Sequence, residues 1–189
     1  AMFAEACGAS LHLNELAGTR ADVLNGLFPA ATRSTHNAEY IHDLMDDGIR
    51  PTVVLMNPPF SASPNVTGTL AGVDLRHIKS ALSRLQPGGR LVAITSAGLW
   101  PHNPRWREAF DSLSETATLR YTTAVSGKLF RRHGTTITTR LLVFDKLTGD
   151  KADTKWTAEE ADNPAAAILR ETAARGLDPV RVTGVTARP

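Results

Sequence analysis

Apolar residues along this 189-residue chain alternate between short continuous runs and spacings of three and four, the rhythm of strands exchanging with helices. The strongest run is residues 52–56, and the turn-like Gly48, Ile49, Arg50 and Pro51 precede it. Five apolar or β-branched residues in succession predict a strand buried on both faces of a parallel sheet. Residues 91–95 repeat that pattern, and residues 118–125 and 135–144 predict two strands that finish the sheet. Leu75, Ile78, Leu82 and Leu85 recur at helical spacing, as do Trp106, Phe110 and Leu113 in the next helix. On the first of these helices Arg76, His77, Lys79 and Arg84 fall largely on other sides, with His77 at the surface or rim.

The N-terminal third is less apolar. Residues 1–9 read as the last turns of a helix closed by Gly8, and residues 10–16 as a short strand. A helix opens at residues 18–24, with Thr19 as a candidate cap, and ends by Pro29. Residues 31–36 predict a poorly apolar strand, and Ile41, Leu44 and Met45 the packed face of a short helix. Residues 61–72 carry turn chemistry without periodicity, and residues 86–90 form a Gln-Pro-Gly-Gly-Arg return into the sheet. Residues 1–149 therefore read as one α/β domain and the more polar residues 150–189 as an appendage or linker.

Composition adds few exclusions. Hydrophobic residues at 42% and charged residues at 21% describe an ordinary globular protein, and a net charge of +2 is compatible with nucleic acid without pointing to it. Cys7 is the single cysteine, which removes a disulfide framework and a cysteine zinc site. His36 and His42 lack a third ligand at convincing spacing, so no metal is expected. No run approaches the roughly 20 apolar residues that span a bilayer. The cytoplasm is the default location.

The chemistry concentrates where the strongest run stops, at Asn57-Pro58-Pro59-Phe60. Two successive prolines fix their own φ and offer no N–H, and Pro59 also keeps Pro58 out of the helical region. Asn57 is likewise held extended, so its carboxamide and the neighbouring carbonyls stand on a stiff elbow. An amide oxygen and a backbone carbonyl form a pair of acceptors suited to an amino group with two hydrogens to donate. Phe60 adds a flat apolar face beside them, which fits the edge of a base drawn out of its stack. A proline-rich turn beside a core Phe is the plain alternative.

This tetrapeptide at a strand end resembles the catalytic motif of S-adenosylmethionine-dependent amino-methyltransferases, most closely those that methylate N6 of adenine in DNA. The resemblance runs over roughly residues 5–146, including the helix, Pro-Gly-Gly turn and strand after the motif and a concluding antiparallel hairpin. It implies a Rossmann-like class I methyltransferase α/β sheet, mostly parallel, with S-adenosyl-L-methionine as cofactor and DNA as partner. Asn57 and the Pro58 carbonyl would bind the target amine, Pro59 would border it, and Phe60 would stack on the base. Glu15 matches the acidic residue that bonds the cofactor ribose, although a surface or helix-capping glutamate reads nearly as well. Asn37 would bond the cofactor adenine and Ala38 would leave room for its ring, with Asn57 adjoining the cofactor.

Lys128, Arg131, Arg132 and His133 give the loop before the last strand a positive charge that could meet phosphates, or simply be solvated. Residues 61–72 could be a flap over the target or a loose connection, and Trp100 could shape the target pocket or cover the core edge. The family's glycine-rich loop and first strand have no counterpart before Glu15, which makes the sheet N-terminally truncated. An upstream segment is favoured as their source, ahead of a companion domain or subunit and of degeneration. The 189 residues alone are then expected to bind cofactor weakly or not at all, leaving a cofactor gap and a pairing gap beside residues 52–56. RNA bases or protein glutamine are alternative targets, and a non-catalytic nucleic-acid-binding or structural module is the alternative of another class.

Overall fold

The computed structural model describes residues 1–60, 72–134, 136–149 and 158–161. The chain forms two compact units, Ala1–Ile49 and Arg50–Pro189. This divides the 1–149 segment that the sequence presents as one domain. The reason lies in the strand pairing: the first unit's strands pair with each other, and the second unit's strands form a sheet of their own.

In the first unit, helix α1 (Met2–Ala6) is closed as predicted around Gly8, whose φ of 78° suits glycine. Strand β1 (His12–Asn14) pairs in parallel with β2 (Thr32–Ser34), and helix α2 (Gly18–Leu27) connects them. These strands are short and carry little apolar area, so side chains stitch them together. His12 reaches the hydroxyls of Thr32 and Ser34 with its two ring nitrogens, each at 2.9 Å. Thr19 does not cap α2; Ala17 holds the cap position, and its N–H donates to Glu15 Oε1 at 2.8 Å. A 3-10 turn at Ala38–Tyr40 then leads into α3 (Ile41–Leu44), where Leu44 is 47% exposed rather than part of a packed face.

The second unit contains β3 (Val53–Met56), α4 (Val73–Arg84), β4 (Arg90–Ser96), α5 (Arg107–Ser114), β5 (Ala117–Val125), β6 (Thr139–Lys146) and β7 (Ala158–Ala161). Its strands lie in the order β3-β4-β6-β5-β7. β3 is parallel to β4, whereas β6 runs antiparallel between β4 and β5. β7 adds to β5 in parallel, so the segment read as an appendage contributes a strand at the sheet edge.

Helices α4 and α5 cover one face of this sheet. Leu75, Ile78, Leu82 and Leu85 meet Leu91, Ala93, Leu142, Phe144, Phe110 and Leu113 in a continuous core. The first predicted stripe is thus buried, as are Phe110 and Leu113 of the second, whereas Trp106 is half-buried in the 3-10 turn Pro104–Trp106 that precedes α5. The return at residues 86–90 is tight because Gly88 takes a φ of 75° and Gly89 passes so close to Thr52 that a Cβ would stand 2.8 Å from its carbonyl oxygen. Lys146 Nζ donates to the carbonyls of Ser83 and Leu85, satisfying acceptors that the end of α4 leaves open.

Two sequence readings are corrected here. β3 is not buried on both faces: Val54 and Met56 pack on the core, while Val53 and Leu55 are 45% and 62% exposed. Strand alternation puts these pairs on opposite faces, and among the described residues β3 has a strand neighbour on one side only. His77 is not a surface residue but 4% exposed, and its Nδ1–H donates to the Val73 carbonyl at 2.9 Å. Arg84, at 5%, is buried with it, because α4 is enclosed beyond its apolar stripe. Among the described residues no helix is long and apolar enough to cross a membrane.

Ile78 is fully buried, so Ile78→Ala should cost about 2–5 kcal/mol of unfolding free energy. The exposed neighbour substitution Lys79→Ala should stay within about 0.5 kcal/mol. Urea titration followed by circular dichroism checks both, and equal midpoints would contradict the assigned core.

Candidate functional site

The β3–β4 ladder runs from Val53 opposite Arg90 to Met56 opposite Ala93. Beyond it stand Pro58 and Pro59, which have no N–H to continue the pairing. Asn57 is exposed, Pro58 buried, Pro59 exposed and Phe60 half-buried. The burial of Pro58 anchors the elbow and leaves Asn57 turned outward. Among the described residues the Asn57 carboxamide has no hydrogen-bond partner.

The carboxyl end of β4 leaves the sheet on the same side as this elbow. Trp100 in the following turn is half-buried, with the Arg140 guanidinium 4.8 Å above its ring and the His102 ring at its edge, 5.1 Å away. Arg140 also donates from Nε to the Ala97 carbonyl at 3.1 Å and from Nη1 to Thr122 Oγ1 at 3.2 Å. Arg140 thus pins the turn to two strands and fixes the indole. The sequence left Trp100 open between two roles, and its partner escaped detection because a long chain separation hides a cation–π pair.

A third segment reaches the same edge. Ser96 and Val125 both pair with Thr139, so the ends of β4 and β5 flank the start of β6. The 3-10 segment Gly127–His133 follows β5 directly, and Lys128 and Arg131 on it are exposed. The side chains of Arg132 and His133 lie outside the described residues, as do residues 61–71. Gly127 closes the base of this loop: a Cβ there would collide with the Thr136 carbonyl. Close backbone approach, rather than turn chemistry, requires glycine at this position.

In the N-terminal unit, Glu15 and Asn37 follow β1 and β2 at one edge of that parallel pair. The Asn14 side chain ties these ends together, donating to the His36 carbonyl and accepting from the His36 N–H, each at 3.0 Å. Glu15 accepts two hydrogen bonds from Arg20, at 2.9 and 2.8 Å, besides that from Ala17. Both readings of Glu15 therefore remain chemically open, since a carboxylate has about four acceptor positions. Asn37 Oδ1 accepts the Glu39 N–H at 3.1 Å and starts the 3-10 turn that contains Ala38.

No protein-family model and no curated protein matches the chain. Solved structures match most of it. A candidate class I S-adenosylmethionine-dependent methyltransferase from Listeria monocytogenes aligns over 86% of this chain, with 14% identity and a TM-score of 0.65. The fold is that of the class I methyltransferases. A modification subunit of a candidate type I restriction enzyme from Vibrio vulnificus YJ016 covers 88% of the chain, with 18% identity and a TM-score of 0.62. A candidate RNA methyltransferase from Pyrococcus horikoshii covers 73%, with 16% identity and a TM-score of 0.51. The chain spans 54% of the Listeria protein, 41% of the Vibrio subunit and 63% of the Pyrococcus protein. In this class I methyltransferase fold, the Asn57 elbow stands at the carboxyl end of a strand, where open α/β sheets commonly bind ligands.

Hydrogen bonding from Arg20, the largest influence, holds the Glu15 carboxyl below its ordinary value of 4.5; burial opposes this and the Ala17 N–H supports it. Because the folded value is depressed, the stabilisation from this pair is present above pH 4.5 and disappears as pH falls through the lowered value. Arg20→Ala should raise the Glu15 midpoint, observable by carboxyl carbon NMR; an unmoved midpoint would remove Arg20 as its cause. The effect on overall stability should be small, since the Arg20 side chain is 72% exposed. Gly127→Ala should separate the loop from residue 136 and lower the melting temperature, whereas Gly134→Ala, with nothing within 4 Å of the added carbon, should act only through its φ of 80°. A smaller melting shift for Gly127→Ala than for Gly134→Ala would contradict that close approach.

Proposed function

We propose that this chain carries the target-amine site of an S-adenosylmethionine-dependent methyltransferase that, as the complete protein, methylates an exocyclic amino group, N6 of adenine in DNA. The observation that carries the reading is Asn57-Pro58-Pro59-Phe60 at a strand's carboxyl end in a class I methyltransferase fold, with Pro58 buried and Asn57 outward. The likeness to a type I modification subunit supports DNA as the target.

In this proposal Asn57 Oδ1 and the Pro58 carbonyl accept one hydrogen each from the target amine. Holding both hydrogens orients the nitrogen lone pair and stabilises positive charge as it develops on that nitrogen. Pro59 stiffens the support, and Phe60 stacks on the flipped base. Exposed Lys128 and Arg131 would meet the phosphates, and Arg132 and His133 join that proposed contact by their place in the sequence alone. Neutral acceptors suffice on the protein side, without a covalent nucleophile.

The cofactor, when bound, supplies an electrophilic methyl group on a sulfonium. Glu15, at the edge of the β1–β2 pair, keeps about one acceptor position beside its bonds to Ala17 and Arg20 and fits a role as acceptor for one ribose hydroxyl, with a second bond requiring that an Arg20 bond give way, and Asn37 and Ala38 fit an adenine ring. The methionine portion calls for a glycine-rich loop that these residues do not provide. Further chain or a partner subunit is proposed to supply it.

Asn57→Ala in the full-length protein should reduce methyl transfer on the order of 100-fold or more while preserving the fold. The measurement is transfer of radiolabel from S-adenosylmethionine into separate DNA, RNA and protein pools. Undiminished labelling by Asn57→Ala would sink the assignment, and exclusive labelling of RNA would select the reading favoured by the Pyrococcus likeness. Phe60→Ala should impair turnover more than Phe60→Tyr or Phe60→Trp; equal rates for the three would take Phe60 out of the site. Titration calorimetry with S-adenosylmethionine separates all of these from a non-catalytic module.

A further inference from the structure

Asp74, near the start of α4, is 1% exposed, and donors surround its carboxylate. Oδ1 accepts the Leu75 N–H at 3.0 Å. Oδ2 accepts two bonds from one residue, the Ser96 N–H at 3.0 Å and the Ser96 hydroxyl at 2.6 Å. The last lies at the short end of the range for hydroxyl hydrogen bonds. Burying a carboxylate is unfavourable unless such donors replace its water, so the arrangement marks a place where the fold fixes geometry closely.

What it fixes is the neighbourhood of the elbow. Ser96 ends β4, and β4 is the parallel partner of β3. Met56, the last paired residue before the elbow, stands opposite Ala93, three residues before Ser96 on the same strand. Asp74 itself follows Gly72, where the chain rejoins the described structure after Phe60. Gly72 has a φ of 75°, and a Cβ on it would approach the Trp106 ring to 3.1 Å. One carboxylate therefore ties the point of return from the elbow to the strand end beside the elbow.

We propose that Asp74 is a positioning residue for methyl transfer: acting through Ser96, it holds the carboxyl end of β4 and the start of α4 in register with the Asn57-Pro58-Pro59-Phe60 elbow. The proposal rests on the methyltransferase reading. A clamp serving stability alone would lower the melting temperature and the fraction of active molecules. A positioning clamp lowers turnover per active molecule and leaves cofactor affinity unchanged.

Ser96→Ala is the decisive variant, because it removes the short hydroxyl bond and retains the backbone one. Ser96→Thr restores a hydroxyl, and Asp74→Asn keeps an acceptor without the charge. In the full-length protein, with the substrate pool that the unaltered protein labels, kcat, KM, active fraction from single-turnover bursts, melting temperature and the Kd for S-adenosylmethionine are compared. Ser96→Ala should lower kcat roughly tenfold to a hundredfold per active molecule at unchanged cofactor Kd, with Ser96→Thr recovering most of it and Asp74→Asn falling between. Wild-type kcat in folded Ser96→Ala, or a loss explained entirely by active fraction, would overturn the positioning role while leaving the methyltransferase reading intact. No labelling of any pool by the unaltered protein, with no heat of S-adenosylmethionine binding, would overturn both.

Discussion

Two consecutive prolines set the condition on which the rest of the second unit depends. A parallel ladder needs an N–H from each alternate residue, and Pro58 and Pro59 withdraw both donors at once. β3 must therefore stop at Met56, and the chain must leave the sheet at one defined point. The burial of Pro58 beside exposed Asn57 turns that stop into an anchored elbow. Around it, the turn after β4 and the 3-10 segment after β5 emerge along the same edge, so residues far apart in sequence share one border.

How legible this was follows the range of the forces involved. The elbow was readable because proline's constraints act within one residue, and α4 and α5 because Leu75, Ile78, Leu82, Leu85, Phe110 and Leu113 sit at spacings that only a helix aligns. The two-sided burial of β3 misled because an apolar run looks the same whether one or both faces are covered, and Val53 and Leu55 are the exposed half of it. The place of β6 between β4 and β5 depends on pairing between distant strands, which no local pattern carries.

The buried polar residues were hidden for a different reason. Asp74, His77 and Arg84 occupy positions that amphipathic logic assigns to solvent, yet α4 is enclosed on those sides too. Ser96 is brought to Asp74 only by the fold, whereas His77 bonds the Val73 carbonyl one turn earlier in its own helix. Likewise, Trp100 shows its cation–π contact only when Arg140 is brought over it. At Glu15 the sequence supported a helix-associated role and a ligand role alike, and the Ala17 and Arg20 bonds give the first a definite geometry without exhausting the carboxylate.

The outer side of β3 bears on how such a chain behaves in solution. Its outward row of Val53 and Leu55 adjoins backbone donors and acceptors without a strand partner among the described residues. That combination is the surface most prone to edge-to-edge adhesion between copies. Crowded preparations of these residues would thus be governed by stickiness at one border of the sheet, and a lysine at the Leu55 position would be the gentlest remedy, since it discourages strand addition while leaving the opposite, packed face untouched.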